Sequence, residues 1–181
     1  MNKPDTTPSV CFDTSCLFAG IWSDSGGSRQ VLRLGEAEVV NLITGEIVLS
    51  ELESTLRDKA PDSLGDLTVL LDRSGFDIVK SPAKETVDRL NQWLSYRPDA
   101  RVLATAVQCD PDWFLTYDRD DFLRIEETRS VESCSVGTSG GFLQSLKNGL
   151  DEGTPIVRFF MIDVERHEGL IQSLDRGGRR E

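Results

Sequence analysis

Short apolar runs alternate with stretches whose apolar positions recur at helical spacing along most of the chain. Val10-Cys11-Phe12 predicts a buried strand over Ser9–Asp13. Thr14 and Ser15 are able to cap a helix there, and Leu17, Phe18 and Ile21 predict a helical turn or more. Ser23 to Ser28 is a loop by composition. Arg29–Glu36 predicts a helix and Glu38–Thr44 a strand. Val48, Leu52 and Leu56 predict a helix over Glu46–Lys59, and Leu64, Leu67, Leu70 and Leu71 one over Ser63–Arg73 that Ser74-Gly75 stops. Phe76–Lys80 predicts a strand, and Ser81-Pro82 opens a helix buried at Val87, Leu90 and Leu94. Pro98 ends that helix and Asp99–Cys109 forms another. Trp113–Thr116 and Val131–Val136 predict two more strands. The second leads through Gly137-Thr138-Ser139-Gly140-Gly141 into a helix with Phe142, Leu146 and Leu150.

Strands that alternate with helices predict an α/β fold around a parallel sheet. Residues 1–150 form one domain on this reading, and 151–181 an extension. Within it, 154–164 predicts an extra strand, too apolar for a free sheet edge, that pairs with the sheet or another chain. A helix is expected around Leu170, Ile171 and Leu174, and residues 176–181 read as disordered.

Composition narrows the class. At 181 residues, 38% hydrophobic and 28% charged, the chain is an ordinary globular protein with enough length for a core. No apolar run nears the roughly 20 residues that span a bilayer, and the first residues lack a signal-peptide core. A cytoplasmic protein with no membrane partner is expected. The cysteines (Cys11, Cys16, Cys109, Cys134) form no CxxC, and His167 is the one histidine, so a zinc site is not expected. The net charge of −11 counts against a simple nucleic-acid binder and suits a basic partner segment.

Acidic residues carry the candidate chemistry. Asp13 and Asp118 come directly after apolar runs, Glu51 lies within a predicted helix three residues after Val48, and Asp99 opens another. In open α/β sheets, sites form beyond the carboxyl ends of strands where strand order reverses. Clustered carboxylates repel one another unless a cation sits among them, and hard oxygen ligands suit Mg²⁺ or Mn²⁺. Metal-dependent phosphodiester hydrolysis is the reaction this set suits best. Asp120 or Asp121 is a further candidate, reaching an ion through water, though both also suit plain solvation. Thr14, Ser15 and Thr116 are placed to orient carboxylates or a phosphate. Plainer roles exist too: Asp13, Asp99 and Asp118 stand where caps occur, and Glu46 or Glu53 could replace Glu51.

The chain resembles the PIN-domain ribonucleases over roughly residues 9–148. Val10-Cys11-Phe12-Asp13-Thr14-Ser15 is similar to the family's hydrophobic-hydrophobic-Asp-Thr-Asn start, with Ser15 in place of Asn. Thr116-Tyr117-Asp118-Arg119-Asp120-Asp121-Phe122 is close to its Thr-x-Asp-x-Asp-hydrophobic ending. The helix with Glu51 looks like the carrier of the second family acid. Thr138-Ser139-Gly140-Gly141-Phe142-Leu143 resembles Thr-Pro-x-x-Phe-Leu, with Ser139 for Pro. The pattern is most similar to toxin components of toxin–antitoxin pairs. The resemblance implies a three-layer fold with a five-stranded parallel sheet in the order 3-2-1-4-5. It also implies an endoribonuclease holding Mg²⁺ or Mn²⁺ on Asp13, Glu51, Asp99 and Asp118, an RNA substrate, an antitoxin partner and a possible homodimer. The alternative is a PIN-fold scaffold that binds RNA or protein without cutting.

Two other motifs lead elsewhere. The Gly137–Gly141 stretch lacks the lysine of a P-loop and reads as a strand-to-helix turn. Asp13-Thr14-Ser15 lacks the second aspartate that a phosphoaspartate phosphatase needs.

Overall fold

A computed structural model describes residues 7–92, 97–118, 122 and 134–152. Strand β1 (Ser9–Phe12) lies at the centre of a five-stranded sheet. β2 (Asn41–Gly45) pairs on one side of it and β4 (Trp113–Leu115) on the other, both parallel. β3 (Asp77–Val79) and β5 (Ser135–Gly137) complete the order β3-β2-β1-β4-β5. The parallel α/β sheet and its expected order are both present.

The three central strands are the apolar ones because helices cover them. Val10, Phe12, Leu42, Phe114 and Leu115 are wholly buried. Each contributes about 1.5–3 kcal/mol by leaving water. Phe12 meets Phe76 edge-on, and Phe114 meets Phe122 likewise. At the amino ends of β1 and β4, Ser9 N–H and Oγ donate to Asp112 Oδ2 (2.7 and 2.8 Å), and Asp112 N–H donates back to Ser9 Oγ. This clasp holds the register Val10↔Trp113 and Phe12↔Leu115.

Helices α1 (Thr14–Trp22) and α2 (Gly27–Glu36) pack on each other through Gly20. A Cβ there would collide with Leu32 Cδ1. α3 (Glu46–Lys59) buries Val48, Leu52 and Leu56 at i, i+4, i+8 spacing, as its sequence dictates. α4 (Leu64–Ser74) ends at Gly75, whose φ of 61° is the left-handed stop that glycine adopts without strain. A short 3-10 turn (Pro61–Ser63) precedes α4, and α5 (Lys84–Leu90), α6 (Arg97–Cys109) and α7 (Ser139–Glu152) follow it.

Several boundaries differ from expectation. The second strand begins at Asn41 rather than Glu38, because Glu38 takes a left-handed φ of 58° and Val39 N–H closes back on Leu34 O, ending α2. α1 is capped by Asp13, not by Thr14 or Ser15, which lie inside the helix. α5 starts at Lys84, not at Ser81-Pro82. Pro98 does not precede α6 but sits in its first turn, where its missing N–H is no loss. The helix expected after Gly141 starts at Ser139, with Thr138 Oγ1 taking the Gly141 N–H at 3.1 Å. The Gly-rich stretch is therefore a strand-to-helix turn. Leu94, Asp120, Asp121, the start of the strand expected at Val131 and residues 154–181 lie outside the described residues. Among the described residues, no helix is long and apolar enough to cross a membrane.

Candidate active site

The sheet order reverses between β1 and β4: the chain goes from β1 outward to β3, then returns to the other side of β1. A crevice opens beyond the carboxyl ends of the two strands at such a point. Asp13 directly succeeds β1 there, and its N–H donates to Leu115 O of β4 at 3.0 Å.

Asp13 is only 6% exposed, and its carboxylate is held from several directions. Oδ1 accepts the Thr14 N–H at 2.6 Å. Oδ2 accepts the Ser15 hydroxyl at 2.7 Å and the Thr116 hydroxyl at 2.8 Å, with a longer bond of 3.4 Å from Ser15 N–H. Burial pushes the Asp13 pKa above the ordinary carboxylate value, and the Ser15, Thr116 and Thr14 donors offset part of that rise.

Two chains of bonds lead from Asp13 to other candidate acids. The Thr14 hydroxyl donates to Glu51 Oε2 at 2.6 Å, so Glu51 reaches back from the exposed side of α3 to the start of α1. Glu53 is engaged elsewhere, with Arg57 one turn on (2.6 Å), and Glu46 is exposed in the first turn of α3. Thr116 is fully buried, and its hydroxyl also accepts the Asp118 N–H at 3.0 Å, which fixes the chain at Asp118. Asp99 lies half-buried in the first turn of α6. The structure thus joins Asp13, Glu51 and Asp118 through Thr14 and Thr116, and places Asp99 on a separate helix.

The donor set is chemically suited to a hard divalent cation. Carboxylate oxygens dominate it, and Asp13 Oδ1, with the Thr14 N–H on one side, keeps lone-pair capacity for an ion. Among the described residues, no three acidic, cysteine or histidine side chains are close enough to hold an ion as they stand. All four cysteines are unpaired. Burial pushes the Cys16 thiol up to about 12, so it stays protonated.

Sequence reasoning missed one part of the surroundings. Ser28 Oγ donates to the Tyr117 hydroxyl at 3.2 Å and shares a 2.9 Å bond with Ser139 Oγ. Ser139 also approaches Cys16 Sγ, at 3.6 Å. Ser28 and Ser139 are buried. Both lie in small-residue stretches that read as loops, and no local signal marks them as partners across 111 positions. A separate surface cavity of about 260 Å³ lies among α1, α2 and α4, lined by Asp24, Arg29, Glu36, Asp66 and Arg73. It shares no residue with the carboxylates.

No family model matches the chain, and no curated protein matches it. Solved structures do. VapBC2 from Rickettsia felis, bound to a DNA fragment from its promoter, is 16% identical with a TM-score of 0.55, covering 71% of this chain and 96% of that one. PAE2754 from Pyrobaculum aerophilum is 15% identical with a TM-score of 0.52, covering 76% and 95%. The toxin VapC20 from Mycobacterium tuberculosis, which cleaves the sarcin-ricin loop, is 14% identical over 61% and 91%, at a TM-score of 0.45 too low to carry an argument. Likeness at these identities shows the fold, and with the strand order it makes this a PIN-like fold.

Proposed function

We propose that the chain is a metal-dependent endoribonuclease that hydrolyses RNA phosphodiester bonds as the toxin of a toxin–antitoxin pair. One observation carries this reading: a buried aspartate at the β1/β4 reversal, bonded through two threonines to the elements that bear Glu51 and Asp118. Asp13, Glu51, Asp99 and Asp118 would hold Mg²⁺ or Mn²⁺, with Asp120 or Asp121 as an outer contributor. When bound, such a cation supplies Lewis acidity, acidifying water and stabilising charge on a phosphoryl oxygen.

The chain's own residues do the positioning. Ser15 and Thr116 aim the Asp13 carboxylate and favour its ionised form, which any cation requires. Thr14 orients Glu51, and Thr116 sets the backbone at Asp118. A side-chain nucleophile is not needed, since water attacks. The toxin role brings an RNA substrate, a cytoplasmic setting and an antitoxin, for which the net charge of −11 favours a basic binding segment. A homodimer is compatible with this role.

One observation favours the rival, a non-cutting scaffold: both Asp13 oxygens already accept bonds and the residue caps α1. An RNA cleavage assay with and without Mn²⁺ separates the two. The wild type should cut only with the metal, and Asp13→Asn should lose more than about a hundredfold in rate while keeping the wild-type circular dichroism, because Asn caps about as well as Asp. Undiminished cutting by the folded variant would remove Asp13 from the chemistry. No cutting by the wild type would leave the scaffold.

A further inference from the structure

Tyr117 stands between Thr116 and Asp118, so it borders the proposed site on the chain itself. Among the described residues it is one of four exposed large hydrophobic side chains, 39% open to solvent. It is also fixed at both ends. Its N–H donates to Ser15 Oγ at 2.9 Å, and its hydroxyl accepts from Ser28 Oγ at 3.2 Å. Ser28 is itself buried and bonded to buried Ser139, so the far anchor belongs to the rigid interior. A half-exposed tyrosine usually keeps rotamer freedom, which it loses on binding. This ring has already lost much of it.

We infer that Tyr117 is a nucleobase-stacking residue that holds single-stranded RNA beside the carboxylates; this rests on the nuclease reading above. A phosphodiester brought to Asp13 and Asp118 carries a base on either side, one nucleotide away. Every base has a π face, so a fixed ring serves without regard to sequence. The chain's charge gives the ring particular value. At −11, attraction for phosphate cannot supply most of the affinity as it does for basic proteins. Stacking needs no opposite charge and releases no counterions.

The test is binding of a short fluorescent single-stranded RNA to the full chain in Ca²⁺, with the RNA checked intact by gel. Tyr117→Leu should weaken binding about 5- to 150-fold, the equivalent of stacking one base, and Tyr117→Phe should stay within about threefold. The ratio of leucine variant to wild type should hold constant from low to high salt. It should vanish for an oligonucleotide whose bases have been removed. Wild-type affinity in Tyr117→Leu, an equal loss against the abasic strand, or a wild type that does not bind RNA would each overturn the assignment. So would a leucine variant altered only in self-association, which would give the ring to a protein interface. A second measurement needs no variant: ultraviolet cross-linking of wild type to RNA, mapped by mass spectrometry, should place an adduct on Tyr117, and adducts confined elsewhere would count against it. Cleavage in Mn²⁺ is scored separately. A wild type that stacks RNA on Tyr117 without cutting it would sink the nuclease reading and leave this one standing.

Discussion

Replacing Thr116 with valine tests the organisation of the site. The two side chains have the same shape, so no cavity opens in a position that is fully buried. The change deletes a hydroxyl that donates to Asp13 Oδ2 at 2.8 Å and accepts the Asp118 N–H at 3.0 Å. A hydrogen bond to an ionised group contributes about 1.5–3 kcal/mol. The Asp118 N–H is only partly buried and can turn to water, so its loss adds little, up to about 1 kcal/mol. The sum, roughly 2–4 kcal/mol, lowers the melting temperature of a chain of this size by about 4–16 °C. Thr116→Ser keeps the hydroxyl and should lose only about 1 kcal/mol with its methyl group.

The pH dependence gives the sharper readout. The Thr116 hydroxyl lowers the Asp13 pKa within a net rise caused by burial. Removing it raises the folded-state pKa further. The stability that this bond confers is therefore present where Asp13 is ionised and is lost as pH falls through its folded pKa. Urea unfolding of both proteins from pH 7 down to pH 4 should show the gap between them closing. A valine variant as stable as wild type at pH 7, or a gap that does not change with pH, would refute the bond's coupling to an ionised Asp13.

Other residues give three further outcomes. Mn²⁺ at a hundred times Kd should raise the wild-type melting temperature by roughly 5–11 °C, and Asp99→Asn should shrink that shift; an undiminished shift in thermal melts would take Asp99 out of the proposed site. Burial pushes the Cys134 thiol up to about 11 and the Cys16 thiol to about 12, so the stability of their protonated forms is present below the ordinary value of 9.0 and falls as pH rises above it, by about 1.4 kcal/mol per pH unit for Cys16 and by less for the more exposed Cys134, whose interactions solvent screens. Cys134→Ser should flatten that fall between pH 9 and 11 in urea melts. Glu38→Gly should stabilise the chain by about 1 kcal/mol by relieving a left-handed residue at an exposed helix end, and a lower melting temperature would contradict this.

The fold was legible where burial and periodicity agree. The alternating runs around Val10, Leu42 and Phe114 match central strands covered by helices, and Glu46–Lys59 holds to the residue because its stripe is regular and Gly45 precedes it. Ends were read less well where backbone conformation, not apolarity, decides them. Val39 and Val40 look like strand, yet the turn at Glu38 puts them before the first pairing. Of the site, the positions of Asp13 and Asp118 beside a strand reversal could be read from apolar runs that end in acids. Thr14, Ser15 and Thr116 could be read as hydroxyls that orient carboxylates, but not which carboxylate each one meets, because Thr14 and Glu51 stand 37 positions apart, and Thr116 and Asp13 stand 103 apart. Only the assembled sheet brings them together.

Those hydroxyls give the site a property that a set of acids lacks. Ser15 and Thr116 each donate to the same Asp13 oxygen and accept from the exit of β4, Ser15 from Tyr117 N–H and Thr116 from Asp118 N–H. A hydroxyl has one proton, so spending it on Asp13 leaves its lone pairs facing the loop, where the two backbone donors need them. The charge on Asp13 and the path of residues 116–118 are thereby tied together. Neutralising Asp13 weakens both hydroxyls as aligned acceptors and frees them to rotate. The backbone at Tyr117 and Asp118 then loses part of its hold, while the Tyr117 hydroxyl stays bonded to Ser28. The buried carboxylate is costly to ionise, and the arrangement that offsets the cost also builds the rim of the crevice.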